Sequence, residues 1–91
     1  MAERAKHVLI VPPEFEAILK SLKKQPSLLK NLELRIARVL SEPQLGKPLR
    51  NVLRNYRRVH IGSYVLIYEI QQEEVRLMDF DHHDRVYKKY R

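Results

Sequence analysis

The residues best equipped for chemistry are concentrated in the last thirteen positions, which read DFDHHDRVYKKYR. Two adjacent histidines stand among three aspartates, and basic residues then alternate with tyrosines. Side chains of these types can bind a metal ion, contact the phosphates of a nucleic acid, transfer protons in catalysis, or form a solvated polar tail. The spacing of these residues, and the elements that carry them, decide among the four interpretations.

The metal interpretation concerns a run of carboxylate and imidazole side chains: Asp79, Asp81, His82, His83 and Asp84. Metal sites do use these residue types, but adjacent residues of an extended chain point to opposite faces. The chain also has no His-x-His or His-x-x-x-His pair that would place two imidazoles side by side. We therefore expect no dedicated metal site.

The distribution of positive charge favours a polyanionic partner. Lys and Arg number 18 against 11 Asp and Glu, a net charge of +7, and the stretch from Lys47 to Arg58 carries five basic residues and no acidic one. Four more basic residues follow between Arg85 and Arg91. Such clusters attract RNA, DNA or an acidic protein segment, although a solvated basic face looks the same in sequence. The candidate RNA-binding residues are Lys47, Arg50, Arg54, Arg57, Arg85, Lys88 and Lys89.

The catalytic interpretation is cleavage of RNA without a metal. Such an enzyme deprotonates a ribose 2′-hydroxyl, stabilises extra negative charge on the phosphate and protonates the leaving 5′-oxygen. His60 and His83 are acid or base candidates near neutral pH, Arg58 is a permanent cation, and Tyr87 is a weak acid. A lone histidine on a sheet is more often incidental than catalytic, so this interpretation requires these four side chains to meet on one face.

Length and composition describe the frame that positions these residues. A chain of 91 residues supports a single domain, 1–91, with one modest core. The absence of cysteine excludes disulfides, thiolate catalysis and cysteine-based metal sites. The N-terminal apolar run from His7 to Val11 is too short for a signal peptide or a membrane span. We therefore expect a soluble cytoplasmic protein with no membrane partner.

Hydrophobic periodicity predicts an α+β fold in which an N-terminal strand and a helical hairpin precede an antiparallel meander of three strands. The helices are expected to pack on one face of the sheet, because their apolar stripes are typical of a core. The predicted elements are a strand at 7–11, helices from Pro13 to about Lys24 and from Pro26 to just before Pro43, and strands at 56–61, 64–70 and 75–80.

The dipeptide Gly62-Ser63 predicts a two-residue hairpin turn of the glycine-first kind, and this turn fixes the register of the flanking strands. The predicted core face then carries Val59, Ile61, Tyr64, Leu66, Tyr68 and Ile70. The predicted open face carries Tyr56, Arg58, His60, Val65, Ile67 and Glu69. Because residues i and i+2 of a strand point the same way, Arg58 and His60 are directed at one place. The sequence does not assign the faces of the last strand.

Two segments of the C-terminal half resemble a known family. YRRVHIGSYVLIYEI, followed after a short gap by DHHDRVY, resembles the characteristic segment of RelE/ParE-superfamily toxins of toxin–antitoxin modules. In that family the common form is Tyr-Arg-x-Arg-x-Gly-x-Tyr-Arg-x-x-Tyr, and later Gly-His-Arg ending in Val-Tyr. The predicted order of elements is also similar to that fold. The resemblance therefore covers essentially the whole chain, with specific motifs only in the C-terminal half.

The resemblance implies roles for individual residues. Arg58 and His60 occupy the two basic positions of the strand before the glycine, and Tyr87 matches a C-terminal tyrosine implicated in catalysis in the RelE branch. His83 stands where that branch has a phosphate-binding arginine. Val65 replaces the arginine that usually follows the second tyrosine, so one phosphate ligand is missing, and Arg85 is a candidate to supply the lost charge.

The resemblance implies an mRNA endonuclease toxin that acts in the ribosomal A site without metal or cofactor and is neutralised by a small antitoxin. We expect that antitoxin to be acidic, amphipathic and helical. Related branches use the same scaffold to poison DNA gyrase, so a non-enzymatic gyrase inhibitor is the alternative. Val65 also leaves open an inactive toxin homologue that only binds antitoxin or RNA. The candidate cluster of His60, His83 and Tyr87 favours the nuclease.

Overall fold

A computed structural model describes residues 7–49 and 55–89 and shows a mixed five-stranded sheet with helices on both faces. The strand order is β1-β5-β4-β3-β2, in which β1 is parallel to β5 and the other neighbours are antiparallel. The bounds are β1 Val8–Ile10, α1 Pro13–Ser21, α2 Pro26–Ser41, β2 Lys47–Pro48, β3 Tyr56–Ile61, β4 Tyr64–Gln71, β5 Glu74–His82 and α3 His83–Lys89.

The structure confirms the predicted α+β class, the helical hairpin and the three-stranded meander. A 3-10 turn at Leu22–Lys24 follows α1, so the helical segment ends at Lys24, in agreement with the prediction. Prolines open both long helices, where the missing N–H costs no hydrogen bond. The sequence did not predict β2 or α3. Within the described residues, no helix is long and apolar enough to cross a membrane.

The main core lies between the α1–α2 hairpin and one face of the sheet. Phe15, Leu32 and Val39 have no exposed surface and supply the helical side of this core. Each such side chain contributes about 1.5–3 kcal/mol by leaving water. The sheet side is formed by Val59, Ile61, Leu66, Tyr68, Val75, Leu77 and Phe80.

The predicted register of β3 and β4 is confirmed, since Ile61 pairs with Tyr64 and Val59 with Leu66. Gly62 has a φ of 61°, in the left-handed region that glycine adopts without steric cost. The predicted core face is confirmed as well, because its six residues all belong to the cluster under the helices. A glycine-first turn thus sets which β3 side chains face away from α1 and α2.

The predicted open face is not open. Val65 and Ile67 have no exposed surface, because Val86 of α3 packs against both of them in a second, smaller apolar cluster. Burial of these two β4 residues gives the C-terminal segment a reason to fold back as a helix. Arg58 and His60 therefore lie beside a covered surface rather than on a bare one.

An irregularity in β5 explains why its faces could not be assigned from the sequence. Ile67 pairs with Asp79 but Tyr68 pairs with Leu77, so Met78 is an additional residue on the β5 side. The bulge changes which face the later residues occupy. Val75 and Leu77 before it and Phe80 after it all reach the main core, while Asp79 is left on the side of α3.

Candidate functional site

Two basic side chains of β3 define one wall of the candidate site. Arg58 and His60 are two residues apart on the strand, and their cross-strand partners are Ile67 and Val65. Both β4 partners are buried under α3, so Arg58 and His60 border the place where α3 meets the sheet. The Arg58 Nε atom is buried and has no hydrogen-bond partner in the described part of the chain. Because this nitrogen is closed to solvent, a ligand can approach the guanidinium only at its Nη atoms.

The C-terminal helix supplies the opposite wall. The chain turns from β5 directly into α3 at His83, whose backbone N–H donates to the Ser63 carbonyl oxygen at 2.9 Å. This bond ties the start of α3 to the β3–β4 turn. Further along α3, Val86 packs against Val65 and Ile67 of β4. With the helix held in this way, the following residue, Tyr87, lies over β3.

Tyr87 connects the two walls. Its hydroxyl oxygen lies 3.4 Å from Arg58 Nη1 and 3.4 Å from His60 Nε2. The Arg58 guanidinium carbon is also 5.6 Å from the centre of the Tyr87 ring, within range of a cation–π contact. Tyr87 is 40% exposed, so the cluster borders solvent.

His83 completes the cluster, with its ring centre 6.1 Å from that of Tyr87. The four residues singled out as catalytic, Arg58, His60, His83 and Tyr87, thus lie within one patch, which we call the Tyr87 cluster. The expectation that His82 and His83 point to opposite faces is wrong. One residue ends a strand and the other begins a helix, and the two rings stack at 4.7 Å.

Ion pairs fasten the far end of α3 to the sheet. Lys89 Nζ lies 2.8 Å from Asp79 Oδ2 and 3.4 Å from Asp81 Oδ2, and Arg85 Nη1 lies 3.1 Å from Asp81 Oδ1. The hydrogen bond to Asp79 raises the pKa of Lys89 above its ordinary value, against a smaller opposing effect of burial. Burial acts to raise the pKa of Asp81, but the His82 backbone N–H, Arg85 and Lys89 together hold it below its ordinary value.

The predicted RNA-binding residues fall into different environments. Arg85 and Lys89 make the ion pairs just described, whereas Lys88 is exposed on α3. Lys47 pairs with Arg58 across β2 and β3 and is exposed, so it extends the positive charge of the same face. Arg50 and Arg54 lie outside the described residues.

Arg57 has a structural role on the other side of the sheet. Its guanidinium donates to the Gly46 carbonyl oxygen, and it also bonds Gln44 through the backbone carbonyl and through the side-chain oxygen at 2.8 Å. Arg57 alternates with Arg58 along β3, so it points away from the Tyr87 cluster. Its predicted contact with RNA phosphates is therefore not part of this site.

One neighbour of the cluster could not be found from the sequence. Arg35 reaches from α2 to the edge of β3, where its Nη1 donates to the backbone carbonyl oxygen of His60 at 3.3 Å. This contact holds the strand that carries His60 against the helical hairpin. In sequence, Arg35 is one of several basic residues of α2, and nothing in its spacing distinguishes it.

The sequence and the fold are both similar to those of known proteins. Residues 9–87 match the sequence profile of the family described as ParE toxin of type II toxin-antitoxin system, parDE. The chain belongs to the RelE/ParE toxin superfamily. Another member of similar sequence is the protein named RelE4 of Methanocaldococcus jannaschii. It is 35% identical over 83 residues, which cover 87% of this chain and 88% of that protein.

Two solved toxin structures share the fold of this RelE/ParE member. One is in the toxin–antitoxin complex RelBE2 of Mycobacterium tuberculosis, with a TM-score of 0.71, 26% identity, and coverage of 90% of this chain and 97% of that one. The other is YafQ of Escherichia coli strain BL21(DE3), with a TM-score of 0.73, 15% identity, and coverage of 90% and 99%. The YafQ likeness concerns the fold alone, and together the two confirm the predicted architecture.

Proposed function

We propose that this RelE/ParE toxin is a ribosome-dependent mRNA endonuclease that cleaves RNA without a metal. The observation that carries the proposal is the position of the Tyr87 hydroxyl, 3.4 Å from both Arg58 Nη1 and His60 Nε2. A permanent cation, an imidazole and a phenol within reach of one another supply the groups that phosphodiester cleavage requires.

The proposed reaction begins when a histidine takes the proton of a ribose 2′-hydroxyl. The freed 2′-oxygen forms a bond to phosphorus, the bond from phosphorus to the 5′-oxygen breaks, and a second acid protonates the leaving oxygen. The products are a 2′,3′-cyclic phosphate and a 5′-hydroxyl. His60 and His83 are the two candidates for base and acid, and Tyr87, whose hydroxyl contacts His60, would relay a proton or orient a ring.

Arg58 stabilises the charge that develops on the phosphate. Its buried Nε has no partner in the part of the chain that the structure describes, and its Nη1 makes only a long contact to Tyr87. The Nη atoms of a guanidinium can donate charge-assisted hydrogen bonds to phosphate oxygens. Lys47, the neighbour of Arg58 on β2, would contact the adjoining backbone of the RNA.

The partners that follow are the ribosome, mRNA and an acidic antitoxin. The net charge of +7 suits a ribosomal RNA surface and an acidic helical inhibitor alike. The RelBE2 structure is a toxin–antitoxin complex, which supports an antitoxin for this chain as well. Because its substrate would be translated mRNA, we place the toxin in the cytoplasm.

The test is primer extension on a defined message in a reconstituted translation reaction, with and without ribosomes. Cuts within the A-site codon that appear only with ribosomes are the expected result. Tyr87→Phe, His60→Ala and His83→Ala should each slow cleavage at least about a hundredfold, the lower end of what proton-transfer groups contribute. Tyr56→Phe is the matched control. If all three variants stay within a factor of two, the assignment is wrong.

A second function is favoured by the family match itself, which names the ParE branch. On this alternative the chain inhibits DNA gyrase without cleaving RNA, and Val65 in place of the usual arginine reflects the absence of a phosphate ligand. A supercoiling assay separates the two. Gyrase inhibition with an intact message would support the alternative, and an inactive homologue would affect neither reaction.

A further inference from the structure

The junction of β5 and α3 gathers three ligand-type side chains that the proposed reaction does not use together. We propose that His82, His83 and Asp84 form a binding site for a divalent transition-metal ion such as Zn²⁺ or Ni²⁺, and that the bound ion inhibits the toxin. The candidate ligand atoms of these three residues all lie within 4.8 Å of one another.

The Asp84 carboxylate is the centre of this arrangement. Its Oδ1 lies 3.1 Å from His83 Nδ1, and its Oδ2 lies 3.8 Å from His82 Nδ1. His82 Nδ1 also lies 3.4 Å from the Asp84 backbone nitrogen, in position to accept its N–H. The three side chains therefore direct two imidazole nitrogens and one carboxylate toward one volume.

The ligand set fits a borderline transition metal. Imidazole and carboxylate ligands suit Zn²⁺, Ni²⁺ and Cu²⁺, whereas Mg²⁺ and Ca²⁺ prefer oxygen alone. Two ligands about 2.0–2.1 Å from one tetrahedral ion lie about 3.3 Å apart. Small rotations of surface side chains reach this spacing from the observed separations. Three protein ligands also leave a coordination position for water or an RNA phosphate.

The backbone around the junction limits how far the ligands can separate. The His83 N–H bond to Ser63 fixes the first turn of α3, and the His82 ring packs edge-on against the Tyr64 ring at 5.8 Å. These contacts explain why adjacent histidines, which would diverge in a strand, lie side by side here. Such preorganisation lowers the entropic cost of bringing ligands together.

The inhibitory consequence rests on the proposed function. His83 would serve both the Tyr87 cluster and the metal site, and its ring centre is 6.1 Å from that of Tyr87. An imidazole bound to a metal through one nitrogen cannot exchange a proton there. Metal loading should therefore slow a reaction that needs no metal.

Isothermal titration calorimetry of the full chain, free of any polyhistidine tag, tests the site itself with ZnCl₂ and with NiCl₂. We expect one ion per chain with a dissociation constant on the order of micromolar. His82→Ala and Asp84→Asn should each weaken binding at least about tenfold. His7→Ala is the matched control, because this histidine precedes β1 and is remote from α3 in sequence.

Circular dichroism of each variant shows that α3 and the sheet remain folded. No measurable binding, or binding that is equal in His82→Ala and the wild type, would overturn the site. In a second step, ribosome-dependent cleavage is measured with Zn²⁺ and with a chelator, and each variant is compared with its own chelated rate. Zinc should slow the wild type and His7→Ala about tenfold more than His82→Ala.

The two steps separate the possible failures. Calorimetric binding without any cleavage in chelator would refute the proposed nuclease while leaving the metal site in place. Cleavage that zinc slows equally in the wild type and in His82→Ala would refute inhibition through this site.

Discussion

Replacing Val65 with the arginine that is usual in this superfamily should destabilise the protein rather than restore a phosphate ligand. Val65 has no exposed surface and packs with Ile67 and Val86 beneath α3. An arginine here would force α3 outward, with an overpacking cost of about 1–3 kcal/mol. Its charge would lie next to Asp81, the cross-strand partner of Val65, but that carboxylate already binds two cations.

We estimate a total loss of about 3 kcal/mol in the free energy of unfolding for Val65→Arg, because the new charge is only partly compensated. For a domain of this size that corresponds to a fall of about 12–24 °C in Tm. Displacement of α3 would also separate Tyr87 from His60, so cleavage should fall. Urea and thermal unfolding followed by circular dichroism, together with the cleavage assay, measure both effects.

The matched control is Val8→Arg, the same change on β1, where the side chain is 54% exposed. A change within about 0.5 kcal/mol is expected there. If Val65→Arg is as stable as Val8→Arg, the packing of α3 described here is wrong. A large gain in cleavage would instead support the interpretation of the natural chain as an inactive homologue.

Three further predictions concern the frame around the site, each measured by chemical or thermal unfolding. Tyr68→Phe should cost about 1–3 kcal/mol, because the buried phenol donates to the Pro43 carbonyl at 2.6 Å and accepts the Gly46 N–H at 2.9 Å. Burial raises the pKa of Tyr68, so the wild type should lose stability above about pH 10, and Tyr68→Phe should lose less over the same range. Gly46→Ala should cost about 1–3 kcal/mol, since its Cβ would lie 2.6 Å from the Tyr68 hydroxyl and 2.8 Å from the Arg58 carbonyl oxygen, and an unchanged Tm would contradict this close approach. Gln72→Gly should raise the free energy of unfolding by about 1 kcal/mol, because Gln72 has a φ of 55°, which is unfavourable for a residue with a Cβ. A loss of stability would refute strain at this turn.

The half of the site on β3 was predictable because local chemistry determines it. Gly62 supplies the left-handed residue of a two-residue turn, and the turn then fixes which side chains alternate to which face. The shared face of Arg58 and His60 follows from that rule alone. The main core face followed from the same rule, since the apolar residues of β3 and β4 align once the register is known.

The other half of the site depends on contacts that no local rule contains. The α3 segment, HDRVYKK, is seven residues long and has too little periodicity to predict a helix. It is helical because Val86 covers Val65 and Ile67, and because Lys89 reaches Asp79 and Asp81. The bulge at Met78 also could not be predicted locally, because it is a feature of the pairing between β4 and β5. The stacking of His82 and His83 followed from this unpredicted change from strand to helix.

The parallel pairing of β1 with β5 has a consequence for how the protein is made. Val8 hydrogen-bonds with the segment near Glu73 and Glu74, so the first strand has no partner until the last strand has been synthesised. Contacts of such long sequence separation form late and slowly. The Tyr87 cluster likewise needs β3 and α3 together. The nascent chain therefore cannot complete either the sheet or this cluster before its C-terminal segment has been synthesised.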